Sequence, residues 1–506
     1  MDYQLAFNHT TKQIIMKFKY LIIALLTGSL FISTSCNKTI EVEPEFVKDG
    51  SQIYKDLDEY EFALTGAYAL FRSTGYFGSG GQTTSTWAGL PDMMADNLLQ
   101  TGEDLANWST QVNWTFATDE SDIEIAWTAA YSVIAEANLV LRNIEQFATT
   151  NPARVNRIKG QALAIRGMAH FDVLRFWGAE FDRNSGALGI PFVSAVDVEA
   201  KPARLTVKQS WDAILKDMTE AETLLATVDK SVNTGSNKSY LDRNAVRGLL
   251  ARMSLYAKDY AAAENYATLV IGAVPLASKT AFPNIWKDAS VAEVLWSVPF
   301  SAGEGSPSTG IHIASANRNR FNPSTNLVAT YDQVNDIRFT TYLASRATGV
   351  SSPIAPWATS PRKILNKFNT RSTILDNLVN WKALRTGEMY LIRAEARAML
   401  GGAKEVLGLT DLNDLRAARI NGYVPVVLTG TALVDDIALE RRKELLGEGH
   451  RWFDLKRTTR LINRTDAVLV SAKKVLASTA REWVWPIPQG EIDANPTIKP
   501  QQSAGY

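Results

Sequence analysis

Apolar residues recur at helical spacing along most of this 506-residue chain. The spacing predicts helices over Tyr54–Arg72, Ile123–Phe147, Arg154–Trp177, Val207–Leu225, Arg243–Ala257, Tyr260–Ile271, Gly387–Leu400 and Leu433–Gly447. In "QALAIRGMAHFDVLRFWG", Leu163, Gly167, His170, Leu174 and Trp177 advance along one face. Ala162, Gly167 and Ala169 are small enough to let a partner helix come close. Gly178 follows, as glycine commonly does past a helix C-terminus.

Short helices in pairs, with alanine and aromatic residues at the contacts, predict tetratricopeptide-like hairpins. "AVRGLLARMSLYAKDYAAAENYATLVI" shows the unit: one helix ends near Lys258, Asp259 caps the next, and Tyr260 opens a second apolar stripe. No strict repeat of roughly 34 residues is visible. The expected fold is therefore mainly α, a divergent hairpin superhelix with a loop-rich second subdomain; a generic helical bundle is the plainer alternative. Between the helices lie two long irregular segments, Gly75–Phe116 and Phe300–Arg362, which read as working loops on a helical scaffold.

The N-terminus has a different grammar. Met16-Lys17-Phe18-Lys19, an apolar block from Leu21 to Ile32, and Ser33-Thr34-Ser35 lead to Cys36, the single cysteine of the chain. A basic start, a short apolar run and a small-residue exit form a secretory leader. Met16 suits its start better than Met1, because Met1–Ile15 lacks the basic opening. The block falls short of the about 20 apolar residues that span a bilayer. Cleavage just before a cysteine resembles a bacterial lipoprotein signal, although Ser33 stands where that pattern prefers leucine. On this reading residues 1–35 are removed, Cys36 is acylated, and residues 36–50 form an acidic tether. Residues 51–275 then hold most helices and the first loop segment, and residues 276–506 the second loop segment and the closing helices. The plain alternative is a secretory leader with a free thiol.

Without the leader the chain carries two more acids than bases, a near balance that gives no footprint for nucleic acid. One thiol cannot form an internal disulfide or a multi-thiolate metal site. Of the four histidines, His170 reads as a core residue, while His312 and His450 are isolated and lack zinc spacing. "GSGG" (Gly78–Gly81) has no following lysine and is no phosphate loop, and no nucleophile elbow is visible. No metal, cofactor or catalytic residue is expected. Thirteen tryptophans are many. "TWAGLPDMMADNLLQTGEDLANWST" joins Trp87 and Trp108 to Asp92, Asp96 and Asn97, with Tyr76 before it and Trp114 after. An aromatic platform with polar groups at its rim suits a sugar ring, so these residues are candidate ligand contacts; loop anchoring is the alternative. Tyr331 and Trp357 are weaker candidates in the second segment.

The most specific stretch is "ERRKELLGEGHRWFDLKR", Glu440–Arg457. Glu440 and Glu444 share a helix face and would repel if unpaired. Glu440, Glu444, Glu448 and Asp454 alternate with Arg441, Arg451 and Arg457, and a helical chain would let Glu448 meet Arg451 and Asp454 meet Arg457. Matched charges read as a structural ion-pair network, since catalytic acid and base roles need carboxylates in contrasting environments.

Together with "LRTGEMYLIRAEA" (Leu384–Ala396), "NPSTNLVATYDQVNDIRF" (Asn322–Phe339), the closing "ANPTIKPQQSAGY" (Ala494–Tyr506), the "AIRGMAHFDVLRFWG…GIPFV" segment and the lipoprotein start, this stretch resembles the SusD/RagB family of outer-membrane nutrient-binding lipoproteins. The resemblance implies four tetratricopeptide-like hairpins and a non-enzymatic protein facing the cell exterior. It also implies a lid on a SusC-like TonB-dependent transporter, one that captures oligosaccharides or, in some members, peptides. Two readings compete: a surface-displayed all-α glycoside hydrolase, and a scaffold that binds only another protein.

Overall fold

Each of the eight expected helices is present in the computed structural model, with ends displaced by a few residues. The structure describes residues 54–80, 85–346, 362–369, 371, 377–467, 469 and 471–506, and Asp56–Tyr506 form one compact unit. The leader, Cys36, the tether and Trp357 lie outside the described residues. The long helices are α1 (Leu57–Leu70), α2 (Ser121–Leu141), α3 (Pro152–Trp177), α4 (Val207–Leu224), α5 (Arg243–Tyr256) and α6 (Tyr260–Ala273). After a long excursion come α7 (Thr386–Leu400), α8 (Ala403–Ala417), α9 (Gly430–Glu444) and the shorter α10 (Arg451–Arg457).

Neighbours in sequence are neighbours in space: α2 packs on α3, α3 on α4, α5 on α6, α6 on α7, and α7 on α8. Local side-chain oxygens start these helices by accepting first-turn N–H groups. Asn151 does so for Arg154, Asp242 for Ala245 and Asp259 for Ala262, and Thr206 with Gln209 completes a capping box. At the α5–α6 turn Lys258 has φ +60°, where a Cβ is unfavourable. Lys258→Gly is therefore expected to stabilise the protein by about 0.5–1 kcal/mol in urea unfolding; a loss of stability would contradict that account.

The central helix is α3. Its sequence suggests one apolar face, yet Gly160–Trp177 are buried all round, because α2, α4 and the chain end enclose it. A Cβ on Gly167 would lie 2.9 Å from Met218 Sδ, which is how closely α4 approaches. Gly178 corrects an expectation. Its backbone is extended at φ −66°, so left-handed freedom is not the reason for glycine there; a Cβ would come within 2.6 Å of the Leu174 carbonyl. Near the C-terminus Trp485 stacks on Phe176 at 3.9 Å, and Trp177 Nε1 donates to the Pro486 carbonyl at 2.8 Å. Each such aromatic pair contributes about 0.5–1.5 kcal/mol beyond its buried area.

The loop-rich part runs between α6 and α7. An antiparallel pair of strands, Val294–Val298 with Trp381–Arg385, closes its base. A second pair, Leu98–Gln100 with Phe321–Pro323, ties the first irregular segment to it. The two loop segments thus pack on each other as well as on the helices, and much of Gly75–Phe116 is interior.

Candidate functional site

Every tryptophan among the described residues is buried, those of the Gly75–Phe116 segment included. Tyr76 packs on Trp87 with ring centres 4.5 Å apart and donates its hydroxyl to Asp172 Oδ2 at 2.6 Å. Trp87 Nε1 donates to the Asp172 carbonyl at 3.0 Å, so both aromatics are fixed to α3. Trp108 lies beneath the Arg320 guanidinium, 5.3 Å from its ring centre. None of these rings offers a face to solvent, which corrects the expectation of a sugar platform here. Tyr331 is buried as well and donates to the Lys443 carbonyl at 2.7 Å.

The polar residues of the same stretch form a joint with the chain's most specific motif. Asp92 accepts from Asn97 Nδ2 at 2.7 Å and from the Gly447 and Gly449 N–H groups at 3.0 Å each. Burial pushes its carboxyl up to about 6, against the pull of those three donors. Asp96 receives Arg451 at 2.6 and 2.9 Å. Burial opposes its charge too, but Arg451 and Arg442 hold it below the usual carboxylate range. Asn97 accepts from Arg442 Nε at 2.8 Å. These three side chains are a buried joint rather than a ligand rim, a second correction to the sequence reading.

Beyond the joint, Arg338 NH1 lies 2.6 Å from Glu440 and 2.8 Å from Glu444, which relieves the repulsion along α9. Glu440 also takes Arg416 at 2.7 Å, and Glu444 takes Arg385 and Arg419. Burial would raise the Glu440 carboxyl, yet Arg338, Lys443 and Arg416 bring it down to about 2, and Glu444 is held well below its ordinary value. Arg441 meets Asp454 at 3.1 Å, and Asp454 meets Arg457 at 2.9 Å. The Glu448–Arg451 pair expected from helical spacing does not form. Gly447 and Gly449, at φ +70° and +80°, break the helix between α9 and α10. Glu448 instead takes Lys367 and Arg385, each at 2.8 Å, and Arg451 turns to Asp96. Carboxylates held ionised by arginines fix structure; they are poor proton donors.

His170 is likewise structural. His170 Nδ1 lies 2.9 Å from the Arg166 carbonyl, and the Val193 N–H donates to Nε2 at 3.0 Å. Burial lowers its imidazole to about 3, so it is a neutral core group. Among the described residues no cluster of metal-ligating side chains occurs, and no helix is long and apolar enough to cross a membrane.

A well-formed concavity lies elsewhere. A cleft of about 570 Å³ opens between α2 and residues 191–202. Tyr131 and Phe192 present half-buried rings to it, Trp127 lies in its wall, and Asp197 and Glu491 stand among its polar groups. The wall is held in place: Tyr131 donates its hydroxyl to the Pro191 carbonyl at 2.8 Å, Trp127 Nε1 donates to Glu491 Oε2 at 3.3 Å, and Phe192 stacks on His170 at 4.0 Å. Sequence reasoning missed these residues, although "GIPFV" and the α2 stripe were both visible. Only the fold shows that they face each other.

A superhelix of helix hairpins, locked by buried ion pairs and carrying a preformed cleft with aromatic walls, is a binding scaffold of the helical-repeat class. Comparison with known proteins narrows this. Residues 82–255 match the SusD-like family described as starch-binding associating with outer membrane, and residues 348–506 match the SusD family. The chain belongs to the SusD/RagB family, a carbohydrate-binding family associated with the outer membrane. It is similar to SusD-like protein P38 of Formosa agariphila, with 26% identity over 88% of this chain and 93% of that protein. A SusD superfamily protein from Bacteroides thetaiotaomicron superposes with a TM-score of 0.77, at 28% identity over 89% of this chain and 100% of that one. A SusD superfamily protein from Bacteroides vulgatus gives 0.75, at 25% identity over 90% and 100%.

Proposed function

We propose that this chain is a cell-surface lipoprotein that captures oligosaccharides and passes them, without cleaving them, to a SusC-like TonB-dependent transporter. The observation that carries the reading is the match of residues 82–255 to a family described as starch-binding at the outer membrane. The cleft between α2 and residues 191–202 is the proposed seat of the ligand. Its volume falls within the range of roughly 300–1,000 Å³ usual for small-ligand sites. Tyr131 and Phe192 supply apolar faces for the C–H side of a sugar ring, and Asp197 supplies acceptors for hydroxyls at its rim. Because Tyr131 is already fixed by Pro191, little ordering cost falls on binding. Acylated Cys36 supplies the anchor.

Calorimetry over a panel of oligosaccharides is expected to find at least one ligand. The double variant Tyr131→Ala, Phe192→Ala should weaken its binding at least tenfold while the circular dichroism spectrum stays the same. Unchanged affinity would remove the cleft from the reading. Absence of any binding, with no transporter co-purifying, would remove the function. Chain-length analysis of the bound glycan after long incubation tests turnover, and release of shorter sugars would favour a hydrolase. Mass spectrometry of the processed N-terminus reports on the acyl chains at Cys36.

A further inference from the structure

Glu103 and Asp104 belong to the first loop segment and do not line the cleft, and four arginines converge on them. Arg346 NH1 reaches the two Glu103 carboxylate oxygens at 2.6 and 2.7 Å, and Arg362 NH1 lies 3.2 Å from Oε1. Arg320 Nε donates to Asp104 Oδ1 at 2.8 Å. Arg318 Nε donates only to the Glu103 backbone carbonyl, at 2.6 Å. The two carboxylates are also claimed by neutral donors. The Asn319 N–H donates to Glu103 Oε2 at 2.8 Å, and Gln100 Nε2 donates to Asp104 Oδ2 at 2.7 Å.

Among the described residues, positive charge therefore outnumbers negative at this cluster, in a chain that is balanced overall. Arg318 NH2 and Arg320 NH2 are buried nitrogens without a hydrogen-bond acceptor, and Arg362 NH1 has only its ion-pair contact with Glu103, without hydrogen-bond geometry. Unmet buried donors are costly, and unmet guanidinium donors more so. Burial first, then the like charge of a neighbour, Arg318 beside Arg320 and Arg346 beside Arg362, pull both arginines below the ordinary guanidinium value. The cluster is not sealed. Arg320 and Arg346 form its floor, with side chains 5% and 0% exposed, while Arg362 is 25% exposed and Arg318 half-buried.

We propose that this arginine cluster is an oxyanion subsite, which makes the protein prefer glycans carrying uronate carboxylates or sulfate esters over neutral ones. A guanidinium offers paired N–H donors in one plane, matching two oxygens of a carboxylate or sulfate. One such group placed between Arg318 and Arg362 would satisfy donors that the chain leaves unmet. It would also offset the excess charge. The inference rests on the oligosaccharide reading above.

The test pairs each acidic oligosaccharide of a panel (galacturonate, mannuronate and glucuronate tetramers and a sulfated galactan fragment) with its carboxyl-reduced or desulfated form. Sodium sulfate alone is the reference anion. At low salt an acidic member is expected to bind at least tenfold tighter than its neutral counterpart, and the preference should shrink as salt rises. Arg318→Gln and Arg362→Gln, at positions that break no fully buried ion pair, should abolish the preference and leave neutral binding intact; Arg362→Lys should restore part of it. Equal binding of acidic and neutral forms would overturn the subsite and leave the glycan reading standing. Sulfate protection against heating without any acidic preference would mean an inorganic ion only, and would overturn it too. A lower melting temperature in Arg318→Gln with an unchanged acidic-to-neutral ratio would show a structural lock instead. Failure of every sugar to bind would remove both readings together.

Discussion

Glu444→Ala is expected to cost about 3–5 kcal/mol of folding stability, a large part of what a domain possesses. The reason is charge left behind. Glu444 is fully buried and accepts from Arg338 at 2.8 Å, from Arg419 at 3.0 and 3.1 Å, and from Arg385. With it gone, Arg338 keeps Asp336 and Glu440, and Arg419 keeps Glu293, but three buried guanidiniums share one carboxylate fewer. Lys208→Ala is the contrast, because its partner Asp212 sits with it on the surface, at 54% and 45% exposure. That variant should change stability by less than about 0.5 kcal/mol. The Glu444 effect carries a pH signature. Burial alone would raise its carboxyl, but Arg419, Arg385 and Arg338 hold it well below 4.5. Its contribution is therefore complete above the unfolded carboxylate value and fades as pH falls through the folded one. Urea unfolding at pH 7 and pH 4 should show the gap between wild type and variant narrowing at the lower pH. A loss below about 1 kcal/mol at pH 7 would mean that the arginines find other partners.

The helices were legible because their signals are local. Asp259 caps α6 and Gln209 closes the box on Thr206 within one turn, so sequence spacing contains the contact. The helix α8 was missed for a physical reason. Val406 and Leu407 are exposed at 66% and 43%, while Gly408, Asp411 and Arg416 are buried, so its apolar stripe is blurred. The charged motif was legible as a set of ion pairs but only partly as partners. Asp454 and Arg457 are three residues apart on α10, whereas Arg338, Arg385 and Arg419 come from distant segments that no spacing rule connects to α9. Composition misled the ligand reading. Tryptophans beside polar residues in the irregular Gly75–Phe116 segment read as a ligand platform, but the small residues of that segment let the backbone pass close to other chain segments. The Ser79 N–H, for example, donates to the Gly305 carbonyl at 2.7 Å. The cleft and the arginine cluster depend on contacts across long stretches of sequence and were not visible at all.

Asp92 supplies the second large effect, because two of its three hydrogen bonds tie the first loop segment to the Gly447–Gly449 turn. In Asp92→Asn one acceptor oxygen becomes an NH₂ group facing the Gly447 or Gly449 N–H, which leaves a buried donor unmet. The expected loss at pH 8 is about 1–3 kcal/mol. Its pH dependence runs opposite to that of Glu444. Burial raises the Asp92 carboxyl from 3.8 to about 6, so its contribution is complete below the unfolded value and falls as pH rises through the folded one. An asparagine does not titrate, so the gap between wild type and variant should be wider at pH 4 than at pH 8, by roughly 2–3 kcal/mol. Chemical denaturation at the two pH values measures this directly. A constant gap would mean that the Gly447, Gly449 and Asn97 donors just balance burial, and a gap wider at pH 8 that they outweigh it and hold Asp92 below its unfolded value. Opposite slopes at Asp92 and Glu444 would separate what decides each charge: burial at the first, where backbone N–H groups and an amide are the partners, and nearby full charges at the second.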